Sequence, residues 1–411
     1  MEKRMRRKKT EMSMRRKRME QQFTPERKEM EEELSKMSIM REMEEQFALE
    51  RDKKVHELAS ITTMTQEGEK KKMVHDTLLL TRFMLIDEHY DVRVEGREII
   101  YKLSKAAGLS VMVDALRSNV HSVDESDRII DVQCFCVVAS ALGVAGLLPF
   151  LREVCDSAKS WQARHTGSMI VHQMTIFVGR AVVPHLRSLV ETIGHGLNDD
   201  IKKVRTTTAL ALAVLAQVAA PNDINSFDSV LKPLWKGVRS HRGDDLATFL
   251  KAIGFIIPLM NAVDASYYTK EVTVVLIREF QSPDVDVKRV ALKVLKQCMS
   301  TEGVEPDYIR QDILPEFFSN FSFRRRFLDH RNYKQLVETT VAMARKVGVA
   351  DIVARIAQDL KDESDVLYKI MVIKTIEKES PMKLHELKLK RVMLEFKPWK
   401  QPLAEMQDKT V

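Results

Sequence analysis

The sequence predicts an all-α fold, a solenoid of stacked helix pairs with a charged helical N-terminal extension, and three observations carry this prediction. Glycine and proline are scarce, with 14 and 12 among 411 residues, and hairpin signals such as Asn-Gly are absent, which disfavours a β-sandwich. The hydrophobic fraction is 44%, enough to exclude wholesale disorder. From about residue 76 the apolar residues fall in amphipathic helical stretches separated by short loops, and these stretches repeat.

The clearest mark of the repeat is an apolar or small residue followed by a cation at the start of a helix: Val92-Arg93, Ala163-Arg164, Val204-Arg205 and Val287-Lys288. Arg128 falls between the first two. Successive cations are separated by 35, 36, 41 and 83 residues (93 to 128, 164, 205 and 288). The last gap is two steps, and SHRGDDLATFLKAIGFIIP fills the missing turn. These periods are close to those of HEAT and armadillo units, so the fold class is an α-solenoid of HEAT repeats, a superhelix. About seven or eight antiparallel pairs are expected at this period between residues 76 and 376.

Taken in order, residues 1–75 are charge-dense, Met-rich and almost free of glycine and proline. ERKEMEEELSKMSIMREMEEQFALERDKK suits a long solvated helix with Glu–Lys and Glu–Arg pairs, but its apolar heptad positions are too poorly kept for a lasting coiled coil. The runs RMRRKK and MRRKRM read either as a nuclear-targeting or nucleic-acid patch or as a frayed charged tail. They contribute much of the net charge of +7 and the isoelectric point near 9.0, a balance compatible with nucleic acid or an anionic membrane.

Residues 76–378 form the predicted array. Asp87 precedes Arg93 by six residues, and Asp199 precedes Arg205 by the same spacing. An aspartate at the turn between two helices can cap the second and accept from an arginine of its own or a neighbouring unit. Asp87, Arg93, Arg164, Asp199, Arg205 and Lys288 are therefore expected to build a polar ladder along the stack. Pro149, Pro184, Pro233 and Pro315 mark the first helices, where proline is tolerated in a first turn or at a kink. Each hairpin carries apolar residues on more than one face, so units must stack to bury them. KDESDVLYKIMVIKTIEK is the last predicted repeat helix. Residues 379–411 are an amphipathic, basic tail that fits no repeat.

Catalytic and cofactor signatures are missing. There is no GxxxxGK[ST] loop, no HExxH and no GxSxG. His165, His172, His185 and His195 lie in different units and read as surface or satisfied interior histidines. Asp199-Asp200 and Asp244-Asp245 read as helix caps at turns. Cys134, Cys136, Cys155 and Cys298 form no CxxC pair and read as buried, reduced thiols of an intracellular protein. No apolar leader is visible, and the longest apolar stretch, 137–151, is short and interrupted for a membrane span. The expectation is a protein without enzymatic activity, cofactor or metal.

Across residues 85–375 the wording becomes specific. LIDEHYDVRVEGREII, VVASALG, SWQARHTG, PHLRSLVE, SFDSVLKPLWKG, FLKAIG, IREFQSPD and RNYKQLVETTV stand in order. Through them the chain resembles the HEAT region of the large subunit of splicing factor 3b. The resemblance implies a nuclear scaffold of pre-mRNA splicing within the U2 small nuclear ribonucleoprotein. Its implied partners are splicing factor 3b subunits and other spliceosomal proteins, pre-mRNA and small nuclear RNA, with no membrane and no small-molecule substrate. It also implies that Lys203, with Arg128, His165 and Glu125, lies beside the path of intron RNA. From the residues alone, Lys203 reads as an ordinary exposed lysine, and Glu125 and Arg128 as a pair across one turn of helix. The chain departs from the family pattern at four positions of that neighbourhood. Ser126 stands for tyrosine, Ile129 for asparagine, and Met169 and Asp244 each for lysine, which weakens phosphate attraction. A general protein-binding HEAT adaptor, a transport or phosphatase scaffold without an RNA role, is the alternative reading.

Overall fold

A computed structural model describes residues 61, 66–220, 224–321, 330–352 and 355. The charged run before residue 61 with its basic patches, the helix expected at 361–378 and the basic tail lie outside the described residues. Among the described residues there are helices and turns and no strand.

The chain divides into two compact units at Val111 and Met112. In the first, α1 (Glu67–Thr81) leads through a 3₁₀ turn, Arg82–Ile86, into α2 (Tyr90–Ala107). Gly96 of α2 lies where a Cβ would come within 2.6 Å of Met84, so the turn packs tightly on that helix. The division falls within α3 (Leu109–Arg117).

In the second unit α4 (Glu125–Leu142) is followed by four hairpins and most of a fifth. They are α5 (Val144–Cys155) with α6 (Trp161–Val178), α7 (Leu186–Gly194) with α8 (Lys202–Ala219), and α9 (Asp228–Ser240) with α10 (Gly243–Ile256). Next come α11 (Ala262–Phe280) with α12 (Val285–Met299), then α13 (Leu314–Phe321) with α14 (His330–Val347). A π-helical turn, Ile309–Ile313, leads into α13.

The sequence dictates these boundaries locally. Asp124, Ser160, Asn261 and Asp284 are N-caps whose side chains accept from backbone N–H groups of the first turn, satisfying donors that have no partner inside the helix. Gly143, at φ +90°, ends α4 and starts α5 in a conformation that side chains avoid. Pro149, Pro233 and Pro315 lie in the first helices α5, α9 and α13, and Pro184 in the 3₁₀ turn before α7.

The second helices α4, α6, α8, α10, α12 and α14 pack one on the next and form one layer of the second unit. The first helices α5, α7 and α9 stack as a second layer, and α11 packs on α13. Helix α8 is buried around most of its circumference, with Val204, Ala209, Leu212, Leu215 and Ala216 at most 1% exposed. Its polar edge is correspondingly narrow, as expected of a helix covered on several sides. Alanines at 209, 211, 213 and 216 let neighbouring backbones approach, and such interiors pack without voids.

Candidate functional site

The cations that mark the repeat share one geometry. Arg93 Nη1 donates to the carbonyls of Asp87 at 2.5 Å and Glu88 at 2.8 Å. Arg128 Nη1 donates to Ser122 and Val123 at 2.6 and 3.2 Å, and Arg205 Nη1 to Asp199 and Asp200 at 2.8 and 2.9 Å. In each case the arginine folds back from the first turn of a second helix and closes the loop before it. The spacing of six residues follows from that reach. Arg164 makes the equivalent bond to Ser157, seven residues back, at 2.9 Å.

Between units two of these arginines meet carboxylates. Arg164 grips Asp199 with two bonds, Nε–Oδ2 at 2.5 Å and Nη2–Oδ1 at 3.1 Å. Arg205 Nη2 donates to Asp245 Oδ2 at 3.0 Å. Asp199 caps the N–H of Ile201 at 2.9 Å rather than the helix itself, whose N-cap residue is Ile201. Burial works to raise the Asp199 carboxyl, but the bonds from Arg164 and Ile201 and the charges of Arg164 and Arg205 hold it below the usual carboxylate range. Further along, Arg289 Nε donates to Asn332 Oδ1 at 3.0 Å, and Asn332 Nδ2 to the Val285 carbonyl at 2.8 Å. That unit thus also has a rung at Arg289, the residue after Lys288.

Glu125, Arg128, His165 and Lys203 come together at the N-terminal ends of α4, α6 and α8. Lys203 bonds Glu125 across the intervening helix, a pair separated by 78 residues, and both side chains are about half exposed. The ion pair of Glu125 is therefore with Lys203 rather than within its own helix, and the Lys203 hydrogen bond holds its carboxyl below the ordinary value. Arg128 is 1% exposed. Its guanidinium lies over the Trp161 ring, 5.7 Å from the centroid, which with the two carbonyls compensates a buried charge. His165 is 4% exposed, and its Nε2 lies 3.1 Å from Thr207 Oγ1. Arg128 and His165 are thus the floor of the cluster, and Glu125 and Lys203 its surface.

The neighbouring charges are also engaged. Lys202 Nζ lies 3.2 Å from Asp245 Oδ1 and 3.8 Å from Asp244 Oδ2. Two lysines at the start of α8 face the positive end of the helix dipole, an unfavourable placement, and the three carboxylates offset it. Ser126 and Ile129 are exposed beside Glu125. Trp161 and Thr207 were not singled out by sequence reasoning as members of this cluster, and Asp245 was read only as a helix cap. A register signal was available for Asp245: it lies 40 residues beyond Arg205, as Asp199 lies 35 beyond Arg164.

Burial, then the charge of Arg128, lowers His165 to about 4, with Glu125 opposing and Lys203 adding. Between pH 6.5 and 4 the unfolded chain binds a proton at this residue that the folded chain refuses, so stability falls as pH falls through that window. In His165→Gln the loss of unfolding free energy between pH 7 and 4.5 is expected to be smaller by up to about 3 kcal/mol. Urea titrations at the two pH values measure it, and identical losses in both proteins would exclude this origin.

Among the described residues no cluster of three potential ligands could hold a metal ion, and no helix is long and apolar enough to cross a membrane. The four cysteines form no disulfide and are buried, and burial pushes Cys136, Cys155 and Cys298 up to about 12, which suits inert interior thiols.

No protein-family model matches the chain. It is 50% identical over 334 residues, 79% of its length, to "U2 snRNP component prp10" of Schizosaccharomyces pombe. It is 43% identical over 295 residues, 72% of its length, to "U2 snRNP component HSH155" of Saccharomyces cerevisiae. It spans 28% and 30% of those relatives. Among solved structures it resembles the karyopherin Kap121p. The form bound to Pho4p aligns with 80% of this chain and 36% of its own at a TM-score of 0.55 and 13% identity. The form bound to Cdc14p aligns with 75% and 35% at 0.54 and 12%. At such identity the likeness concerns the fold, which is that of an α-solenoid.

Proposed function

The chain belongs to the family of the U2 snRNP components prp10 and HSH155, and from that membership we propose that it is a non-catalytic scaffold of pre-mRNA splicing acting in the nucleus. Its partners in this reading are splicing factor 3b subunits and other spliceosomal proteins, together with pre-mRNA and small nuclear RNA. The observation that carries the reading is the extent of the sequence identity to the two relatives. The test is recovery of the tagged chain from nuclear extract, with proteins and RNA both identified. Splicing factor 3b subunits and U2 small nuclear RNA are the expected companions. Transport factors or a phosphatase, without RNA, would point to a general HEAT adaptor.

In this reading Lys203 faces RNA, Arg128 and His165 position the turn that presents Glu125, and Glu125 competes with phosphate for Lys203. Lys202 is similarly held by Asp244 and Asp245. The isolated chain is therefore expected to bind branch-site RNA weakly, with steep salt dependence and little preference over a scrambled sequence. Single-stranded RNA loses affinity with a slope of roughly −0.7 per phosphate neutralised, so two or three contacts release near physiological salt. Glu125→Gln frees Lys203, and the slope is expected to steepen by about 0.7. Titrations at several salt concentrations measure both. Tight, salt-resistant, sequence-selective binding, or a slope unchanged by Glu125→Gln, would contradict this account of the ridge.

A further inference from the structure

The layer of first helices in the second unit opens between α9 and α11. There a groove of about 970 Å³ is lined by side chains of both helices. We propose that this groove docks an extended, proline-containing, acidic segment of a partner protein. This site is separate from the Lys203 ridge and does not depend on its role.

The lining is what such a segment requires. Trp235 of α9 and Tyr268 of α11 stack at 5.1 Å with planes 17° apart, and Tyr267 meets Tyr268 edge-on at 5.2 Å. Tyr267 is 58% exposed, and Pro233 stands beside the rings in the same groove. Rigid aromatic walls of this kind suit proline rings, because a polyproline II chain arrives already extended and loses little entropy on docking. Trp235 also keeps an indole N–H that is buried and meets no acceptor among the described residues. An indole N–H can only donate. A polyproline II segment makes no internal hydrogen bonds, so its carbonyls are free to accept.

Charge selects the rest of the ligand. Lys232 and Lys236 lie one turn apart on the exposed edge of α9, and among the described residues neither forms an ion pair. Arg239, by contrast, is held by Glu271 at 2.8 Å. Two solvent-exposed ammonium groups without a carboxylate partner among the described residues make that edge complementary to an acidic ligand. Single-stranded RNA also stacks on aromatics, but it carries a phosphate on every nucleotide. Asp228 and Glu271 line the same groove and repel such a chain. A peptide can place its carboxylates at the lysine edge and neutral prolines elsewhere. In a helix of three residues per turn, an acid at every third position faces one side.

The test is a titration of the full chain with a fluorescein-labelled peptide of repeated Pro-Pro-Glu triplets, beside Ala-Ala-Glu and Pro-Pro-Lys versions. Saturable binding is expected for the first and much weaker binding for the others. Tyr267→Ala, at an exposed position that leaves the fold intact by circular dichroism, should weaken binding about fivefold. Lys232→Glu with Lys236→Glu should weaken it about tenfold and favour the lysine peptide. The Trp235 indole N–H resonance, identified by its loss in Trp235→Phe, should move on peptide addition. Equal binding of the alanine peptide, no effect of Tyr267→Ala or an unmoved indole signal would overturn the proposal. So would displacement of the peptide by polyuridine, or a self-association of the chain that Tyr267→Ala abolishes.

Discussion

Arg205→Ala is expected to lower the unfolding free energy by about 2–4 kcal/mol, while Lys203→Ala, two residues away, changes it by no more than about 1 kcal/mol. Both residues are basic, both stand in the first turn of α8, and both bond a carboxylate of another helix. Burial separates them. The Arg205 side chain is 17% exposed and its partner Asp245 10%, against 54% and 43% for Lys203 and Glu125. Removing Arg205 also frees the Asp199 and Asp200 carbonyls and leaves the nearly buried Asp245 carboxylate with only the more exposed Lys202, 3.2 Å away, in place of its arginine. Removing Lys203 leaves Glu125 in water. Denaturant titrations of both variants give the comparison, and equal or reversed midpoints would rule out the ladder as a source of stability.

Gly303→Ala is expected to destabilise more than Gly143→Ala by about 1–3 kcal/mol. Both glycines have positive φ, +81° and +90°, so each substitution carries the strain of a conformation that side chains avoid, about 1–3 kcal/mol. At Gly143 a Cβ would have nothing within 4 Å. At Gly303 it would sit 2.1 Å from the Ala262 carbonyl oxygen and 2.9 Å from its Cα. Those are backbone atoms at the start of α11, so no rotamer change relieves the clash. The hairpin α11–α12 must open or shift. Equal unfolding midpoints of the two variants would show that the turn yields more easily than its contacts indicate.

Much of this was legible before any coordinates. The period of the basic residues gave the register of α2, α4, α6, α8 and α12, and four prolines marked first helices or the turns leading to them. The intra-unit bonds of Arg93 and Arg205 also follow from local spacing, since a side chain reaching back five or six residues needs no distant partner. Asp199 was legible as a ladder member, but its two bonds to Arg164 were one option among several. Asp244-Asp245 read as a simple cap. Its second residue is instead the acceptor of Arg205 from the preceding unit, which emerges only when units are placed in register.

By itself, the sequence determined the helical class, the repeat length and the family. Each of these is written in local patterns: apolar periodicity, turn residues and family-specific words carried in order. Only the tertiary structure decided which cations are available to a partner. Lys203 and Lys202 are adjacent, exposed and basic, yet carboxylates from α4 and α10 hold them. Arg128 and His165 lie in the same cluster but beneath the surface. Lys232 and Lys236 stand on the exposed edge of α9 with no carboxylate partner among the described residues. The physical reason is that a charge's availability depends on neighbours one or two repeats away, brought near by the stacking of helices, and helical periodicity within a single repeat carries no record of them.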